Sequence, residues 1–233
     1  MSQYNDKLFS GGPRSYLHHM RFHWLKKHIR EAANSYTLFE LGCFDCRSLK
    51  FLPKPSAYVG ADADWEGGLQ SAKTTFYDDK SMELLIARSA GDLAAYKDRS
   101  FDYAIALETI EHIPDAVLSG YIEFLARVTR KKLLISVPVE IGPVFLAKHL
   151  VKRSIAGLES GETESYTLAE IFWSTLGKTE KVRRFEHKGF NYHTLINQLS
   201  QHFHIRAVAG IPFRPFPYLS FQVGIVAEPK VKP

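Results

Sequence analysis

The feature that most constrains this chain is a succession of short apolar runs, each ending in an acid or a turn and each followed by a segment long enough for a helix. The first is Thr37-Leu38-Phe39-Glu40-Leu41-Gly42-Cys43-Phe44-Asp45-Cys46, with Arg47 to Leu52 following as a short helix before Pro53. It reads as a strand, an acid, a glycine turn and a helix. In an open parallel sheet that turn lies where ligands bind, outside the carboxyl ends of the strands. Gly42 lets backbone approach a ligand because it lacks a Cβ, and Glu40 can accept hydrogen bonds from an amine or a hydroxyl.

The pattern repeats. Tyr58-Val59-Gly60-Ala61-Asp62 is a second run ending in an acid, about twenty residues on, which suits a ribose diol. Strand three is expected near Met82 to Arg88, strand four at Tyr103 to Leu107 and strand five at Leu133 to Val137. Trp65 to Thr74 reads as a helix. Asp115 is expected to cap another running to Arg130, with Val117, Leu118, Tyr121, Ile122, Leu125 and Val128 on its inner face. Tyr192 to Gln201 reads as the last crossover helix, with strands six and seven near His204 to Ala209 and Leu219 to Ala227. Between them Pro212, Pro215 and Pro217 exclude regular structure. Strands alternating with helices predict an α/β fold with helices on both faces of a parallel sheet.

Taken in order, Glu40 and Gly42, Asp62, Gly91-Asp92-Leu93, Phe101-Asp102 to Glu108, Glu111-His112-Ile113-Pro114 and Lys132 to Pro138 resemble the class I S-adenosylmethionine (SAM)-dependent methyltransferases. The resemblance covers Thr37 to Val139. Its most specific part runs from Ser100-Phe101-Asp102 through Glu111-His112-Ile113-Pro114 into Ser136-Val137-Pro138. It implies a Rossmann-like three-layer sandwich around a mostly parallel seven-stranded sheet, with a C-terminal antiparallel hairpin strand. It also implies methyl transfer from SAM, which becomes S-adenosylhomocysteine (SAH).

Matched residue by residue, Glu40 and Gly42 stand at the first acid and first glycine of the family's acid-x-Gly-x-Gly-x-Gly turn, with Cys43 beside them. Phe44 and Cys46 replace the later glycines, so their side chains must point away from the methionine moiety. Asp62 matches the acid that grips the ribose hydroxyls, and Ala63 flanks the adenine. Asp92 matches the acceptor of the adenine amino hydrogen, with Leu93 beside it. Glu108 and Thr109 follow strand four and face the region of the sulfonium. His112 is the candidate general base, set against the plainer role of capping local structure before Pro114. The family's insertion after strand five implies that 139–192 is the acceptor lid, where Tyr166, His187 and His193 are candidate substrate contacts. Arg14 to Ala33 is expected as an amphipathic N-terminal helix.

The bounds are ordinary. A chain of 233 residues is expected to be a single domain over 1–233. Thirty Lys plus Arg against 25 Asp plus Glu give +5, a mildly basic balance that permits an anionic partner without requiring one. Nucleic acid is therefore disfavoured as acceptor, and RNA methylation is kept as an alternative on charge alone. Cys43 and Cys46 offer no disulfide framework. Met1 to Pro13 has no apolar core of a signal peptide, and no run reaches the length of a membrane span, so a cytoplasmic setting is expected. Gly142 to Ile155 reads as a lid helix or a basic amphipathic surface helix.

Metal chemistry finds little footing here. Cys43-x-x-Cys46 has no second pair, and His19 and His23 lack the glutamate of a zinc protease helix, so no metal is expected. No Asn/Asp-Pro-Pro-Tyr follows strand four and no Pro-Cys nucleophile is present. That leaves acceptors that are small molecules, lipids or sugars, methylated mostly at oxygen. The competing readings are a nucleotide-cofactor oxidoreductase, which lacks its Gly-x-Gly-x-x-Gly, and a silent SAM-binding module, motivated by Phe44 and Cys46.

Overall fold

The computed structural model describes residues 12–64, 67–156, 166–185 and 187–230. The expected loop Gly157 to Thr163, the helix start at Trp65 and most of the N-terminal segment lie outside them. The strands are β1 (Thr37–Leu41), β2 (Ala57–Asp62), β3 (Met82–Ile86), β4 (Phe101–Leu107), β5 (Thr129–Pro138), β6 (Phe203–Ile211) and β7 (Gln222–Pro229). The helices are α1 (Gly12–His28), α2 (Gly68–Thr75), α3 (Asp115–Val128), α4 (Gly142–Ala156), α5 (Leu168–Thr175) and α6 (Tyr192–His202). The sheet order is β3-β2-β1-β4-β5-β7-β6. β1 to β5 pair in parallel, and β7 runs antiparallel to both β5 and β6. The expected fold class, hairpin included, is what the chain adopts.

Strand periodicity divides the core. Side chains alternate across a strand, so Leu38 joins a cluster on one face with Phe22 and Leu25 of α1 and Leu69 of α2. Phe39 and Leu41 join a cluster on the other face with Leu118, Ile122 and Leu125 of α3 and Leu195 of α6. Glu40 shares its parity with Leu38 and therefore points toward the α1 side. On that side Trp24 lies so close to β7 that a Cβ on Gly224 would stand 2.3 Å from its Cε2. Burying an indole of this kind contributes about 2–3 kcal/mol.

Several boundaries differ from expectation. α1 begins at Gly12 and ends at His28, where Lys26 and Lys27 complement the negative end of the helix dipole. Asp115 is not the cap of α3; Pro114 is, and Asp115 instead places its charge in the favourable first turn. Val117 is 44% exposed rather than inward-facing. α3 stops at Val128 and β5 starts directly at Thr129, because the Thr129 hydroxyl donates to the Leu125 carbonyl at 2.6 Å and closes the last turn. Leu219 belongs to a short 3-10 turn, Pro217–Leu219, ahead of β7.

Candidate active site

The carboxyl ends of β1, β2 and β4 meet at one edge of the sheet. At the end of β1, Gly42 has φ +71°, and a Cβ there would lie 2.2 Å from Thr109 Oγ1. Glycine is required twice, for the left-handed backbone and for the approach of the loop after β4. Phe44 and Cys46 also have positive φ, 46° and 57°, so the loop keeps a glycine-type backbone at both positions where glycine is replaced. Each left-handed residue with a side chain costs about 1–2 kcal/mol. The Phe44 ring lies on Gly68, where a Cβ would approach it to 2.5 Å, so a glycine in α2 makes room for the bulk in the loop. Cys46 is buried in the α1-side core. Cys43 is buried against Gly60. A hydrogen bond with Cys46 and burial push its thiol pKa up, which leaves it neutral and inert as a nucleophile.

The acids divide into two kinds. Asp62 accepts from the amides of Phe44 at 2.9 Å and Asp64 at 2.7 Å, tying the β1 loop to the β2 end. Burial raises its pKa against those two amides. Ala63 follows it, half-buried. Asp92 is exposed and accepts from the amides of Arg88 and Ser89, each at 2.9 Å, which holds its pKa low. Its neighbour Leu93 is fully buried under α3. These two acids are held by main chain.

Glu40, Glu108 and Glu111 are of the other kind, taken out of water among charges. Glu40 Oε2 accepts from Ser48 at 2.5 Å and Tyr58 at 2.7 Å. Burial raises its pKa to about 7 in spite of both donors. Glu108 has φ +54°, and its pKa is raised by burial. Glu111 is fully buried, and apart from its own backbone amide neither of its carboxylate oxygens has a hydrogen-bond partner among the described residues. Arg21 of α1 faces all three acids; burial lowers its pKa while Glu108, Glu111 and Glu40 oppose the shift.

His112 and His187 come together, with ring centroids 4.3 Å apart. Arg184 brings them there, since its Nη2 donates to the Glu111 carbonyl at 2.6 Å. Phe185 and Lys188 then exchange backbone hydrogen bonds to form a tight turn carrying His187. Lys188 Nζ reaches Glu170 Oε2 of α5 at 2.8 Å and lies over the Tyr166 ring. Tyr166 packs on Phe145 and His149 of α4. His193 is exposed in the first turn of α6, its amide capped by Asn191. The structure thus brings Glu40, Gly42, Cys43, Asp62, Glu108, Thr109 and His112 to one region with His187.

Arg21, Ser48, Tyr58 and Glu111 are the residues that sequence reasoning did not assign to the site. Arg21 carries a readable signal: Leu17, Arg21, Leu25 and Ile29 follow one another at helical spacing of four, so a charge sits on an apolar stripe.

No family model matches the chain, and no curated protein matches it in sequence. Solved structures do match. A Pyrococcus horikoshii protein, PH0226, superposes with a TM-score of 0.63 at 15% identity, covering 98% of this chain and 99% of its own. A SAM-dependent methyltransferase from Aquifex aeolicus gives 0.57 at 13%, covering 94% of each. The chain has the class I SAM-dependent methyltransferase fold. A further member of that fold, the S-adenosylmethionine-dependent methyltransferase of Mesorhizobium loti, gives 0.57 at 15%, covering 90% of this chain and 97% of its own. Among the described residues of this methyltransferase fold, no helix is long and apolar enough to cross a membrane.

Proposed function

We propose that the chain transfers the methyl group of SAM to a hydroxyl of a small-molecule, lipid or sugar acceptor. The observation that carries this reading is the left-handed loop 42–46, ringed by Glu40, Asp62 and Glu108 at the ends of three adjacent strands. SAM is an amino acid, a sulfonium and a nucleoside in one molecule. Glu40 suits its ammonium and Arg21 its carboxylate. Asp62 and Ala63 suit the ribose, Asp92 and Leu93 the adenine. Glu108 and Thr109 flank the sulfonium. A silent module loses its motive, because Phe44 and Cys46 are stowed against Gly68 and the α1-side core.

In the reaction, an acceptor oxygen lone pair forms the new O–C bond as the C–S bond breaks. That bond's electron pair stays on sulfur and leaves SAH. The acceptor's proton passes to His112 or to water. Most of the rate enhancement then comes from alignment and from fixed charges beside the sulfonium.

SAH should bind in calorimetry, and Asp62→Ala should weaken it by about 1–3 kcal/mol with the fold retained, because a charged acceptor for the ribose hydroxyls is lost. Heat from NAD but none from SAH would overturn the reading. Labelled SAM offered with a panel of hydroxylated acceptors identifies the substrate. Transfer to RNA with a steep salt dependence would favour the nucleic-acid alternative instead.

The segment 139–192 is the acceptor lid in this reading. Its support is the chain of contacts from Glu170 through Lys188 to Arg184 and the Glu111 carbonyl. Tyr166 and His187 are the candidate acceptor contacts inside it, with His193 outermost. Arg184→Ala should leave SAH affinity within a few fold and lower acceptor turnover by about tenfold or more, as expected when positioning is lost. Unchanged turnover would move the acceptor site to α1. A reducing compartment suits Cys43 and Cys46, both free.

A further inference from the structure

We propose that Glu111, His112 and His187 bind a divalent first-row transition cation, with Glu108 beside them as a fourth donor. One ligand atom from each of the three lies within 4.8 Å of the others. Opposite ligands on such a cation stand about 4 Å apart, so small side-chain rotations close the cage.

Glu111 is the reason to expect an ion rather than a chance meeting of polar groups. It is fully buried, and apart from its own backbone amide neither of its oxygens has a hydrogen-bond partner among the described residues. A buried carboxylate left unsatisfied costs several kcal/mol, and native structures rarely leave both oxygens unpaired without an occupant. Glu108 Oε1 is likewise buried with no partner. The surroundings allow a further positive charge. Arg21 of α1 acts on all three buried acids, Arg184 is engaged by the Glu111 carbonyl, and Lys148 pairs with Glu140 at 2.7 Å.

The donor set selects the kind of ion. Two imidazoles with carboxylates suit the series from manganese to zinc, whereas magnesium and calcium prefer oxygen alone. The site is assembled from two parts of the chain. Glu111 and His112 follow β4, and His187 arrives on the turn that Arg184 docks to Glu111. Three or four protein donors leave coordination positions open on an ion of this kind. Resting on the methyl-transfer reading, those positions would take the acceptor's oxygen, which narrows the acceptor to molecules that present a hydroxyl, best with a second oxygen beside it; with His112 ligating the ion, the acceptor's proton passes to water instead. Spacing alone did not point to this set, because His187 lies far along the chain from Glu111 and His112.

The test is metal binding by the full chain, read without any turnover. After dialysis against Mn2+, Co2+ or Zn2+ and gel filtration, elemental analysis should find about one ion per chain, with Mg2+ failing to displace it. Co2+ should show visible absorption of a nitrogen- and oxygen-ligated ion. Glu111→Gln and His187→Ala should each weaken Mn2+ or Co2+ binding by at least about tenfold. His23→Ala, outside the cluster, should not, and thermal melts identify any variant that fails to fold. Failure of the wild-type chain to retain any of the three ions, or retention unchanged in both cluster variants, would overturn the proposal. SAH calorimetry on the same samples separates the two readings. SAH binding without metal binding removes only the cation; metal binding without SAH binding removes only the methyl-transfer reading.

Discussion

Replacing Arg21 by methionine should cost the fold about 3–5 kcal/mol at pH 8, the range seen when one partner of a buried charge group is removed. Arg21 faces Glu108, Glu111 and Glu40 from α1, and methionine fills much of its volume without its charge. The buried acids then lose a positive charge that favours their ionised forms while remaining out of water. The loss should shrink at pH 5, because acids whose pKa values are raised by burial take up protons there and no longer need a counter-charge. Urea unfolding of both proteins at the two pH values gives the answer. A loss under about 1 kcal/mol at both, the ordinary scale of a surface change, would mean that Arg21 is solvated and that the acids are neutral without it. SAH affinity should fall as well if Arg21 holds the methionine carboxylate. A large stability loss with unchanged SAH affinity would confine Arg21 to a structural role.

The sheet was legible because it rests on periodicity. Runs such as Leu38-Phe39 and Ala104-Ile105-Ala106 are buried on both faces, as strands in the middle of a parallel sheet must be, and the acids at their ends mark the edge where chains turn. Asp62 and Gly42 were legible for the same reason, since each closes a run. Boundaries were less so. The stop of α3 depends on one hydroxyl, that of Thr129, and the cap of that helix falls on Pro114 rather than on the better-suited side chain of Asp115. The bulk in the 42–46 loop was legible as a difficulty, but its solution was not. Only the packing shows Gly68 vacated for Phe44. The Glu111, His112 and His187 cluster lay beyond spacing rules altogether, because His187 reaches it through a tertiary contact of Arg184. Arg21 shows what a stricter reading would recover: a charge on an apolar helical stripe needs buried partners, and its partners are the site.

Stability should fall by about 3 kcal/mol as pH rises from 4.5 to about 7 on account of Glu40 alone, its pKa being raised over that interval. The sign follows from proton counting. In the unfolded chain Glu40 loses its proton near 4.5, whereas the folded chain holds it until about 7. Between those values the native state binds more protons, so raising the pH favours unfolding; above about 7 both states are ionised and this contribution is flat. Burial is the cause, and it prevails over the Ser48 and Tyr58 donors that favour the ionised form. Glu108 and Glu111, also raised, act with the same sign. On the acid side Asp79 and Glu170, held at about 2 mainly by Lys54 and Lys188, lose their contribution as pH falls through that value. Stability therefore peaks between the two regimes. Glu40→Gln should flatten the alkaline limb by about the stated amount, with the residual slope belonging to the other two acids. Urea midpoints from pH 5 to 8 decide it, and parallel curves for the two proteins would show that Glu40 is ionised throughout. The same proton couples to the ligand. An ammonium docking on Glu40 favours the carboxylate, so SAH binding near pH 6 should release a proton into the buffer. Calorimetry in two buffers of different ionisation enthalpy should detect that release for the wild-type chain and a smaller one for Glu40→Gln.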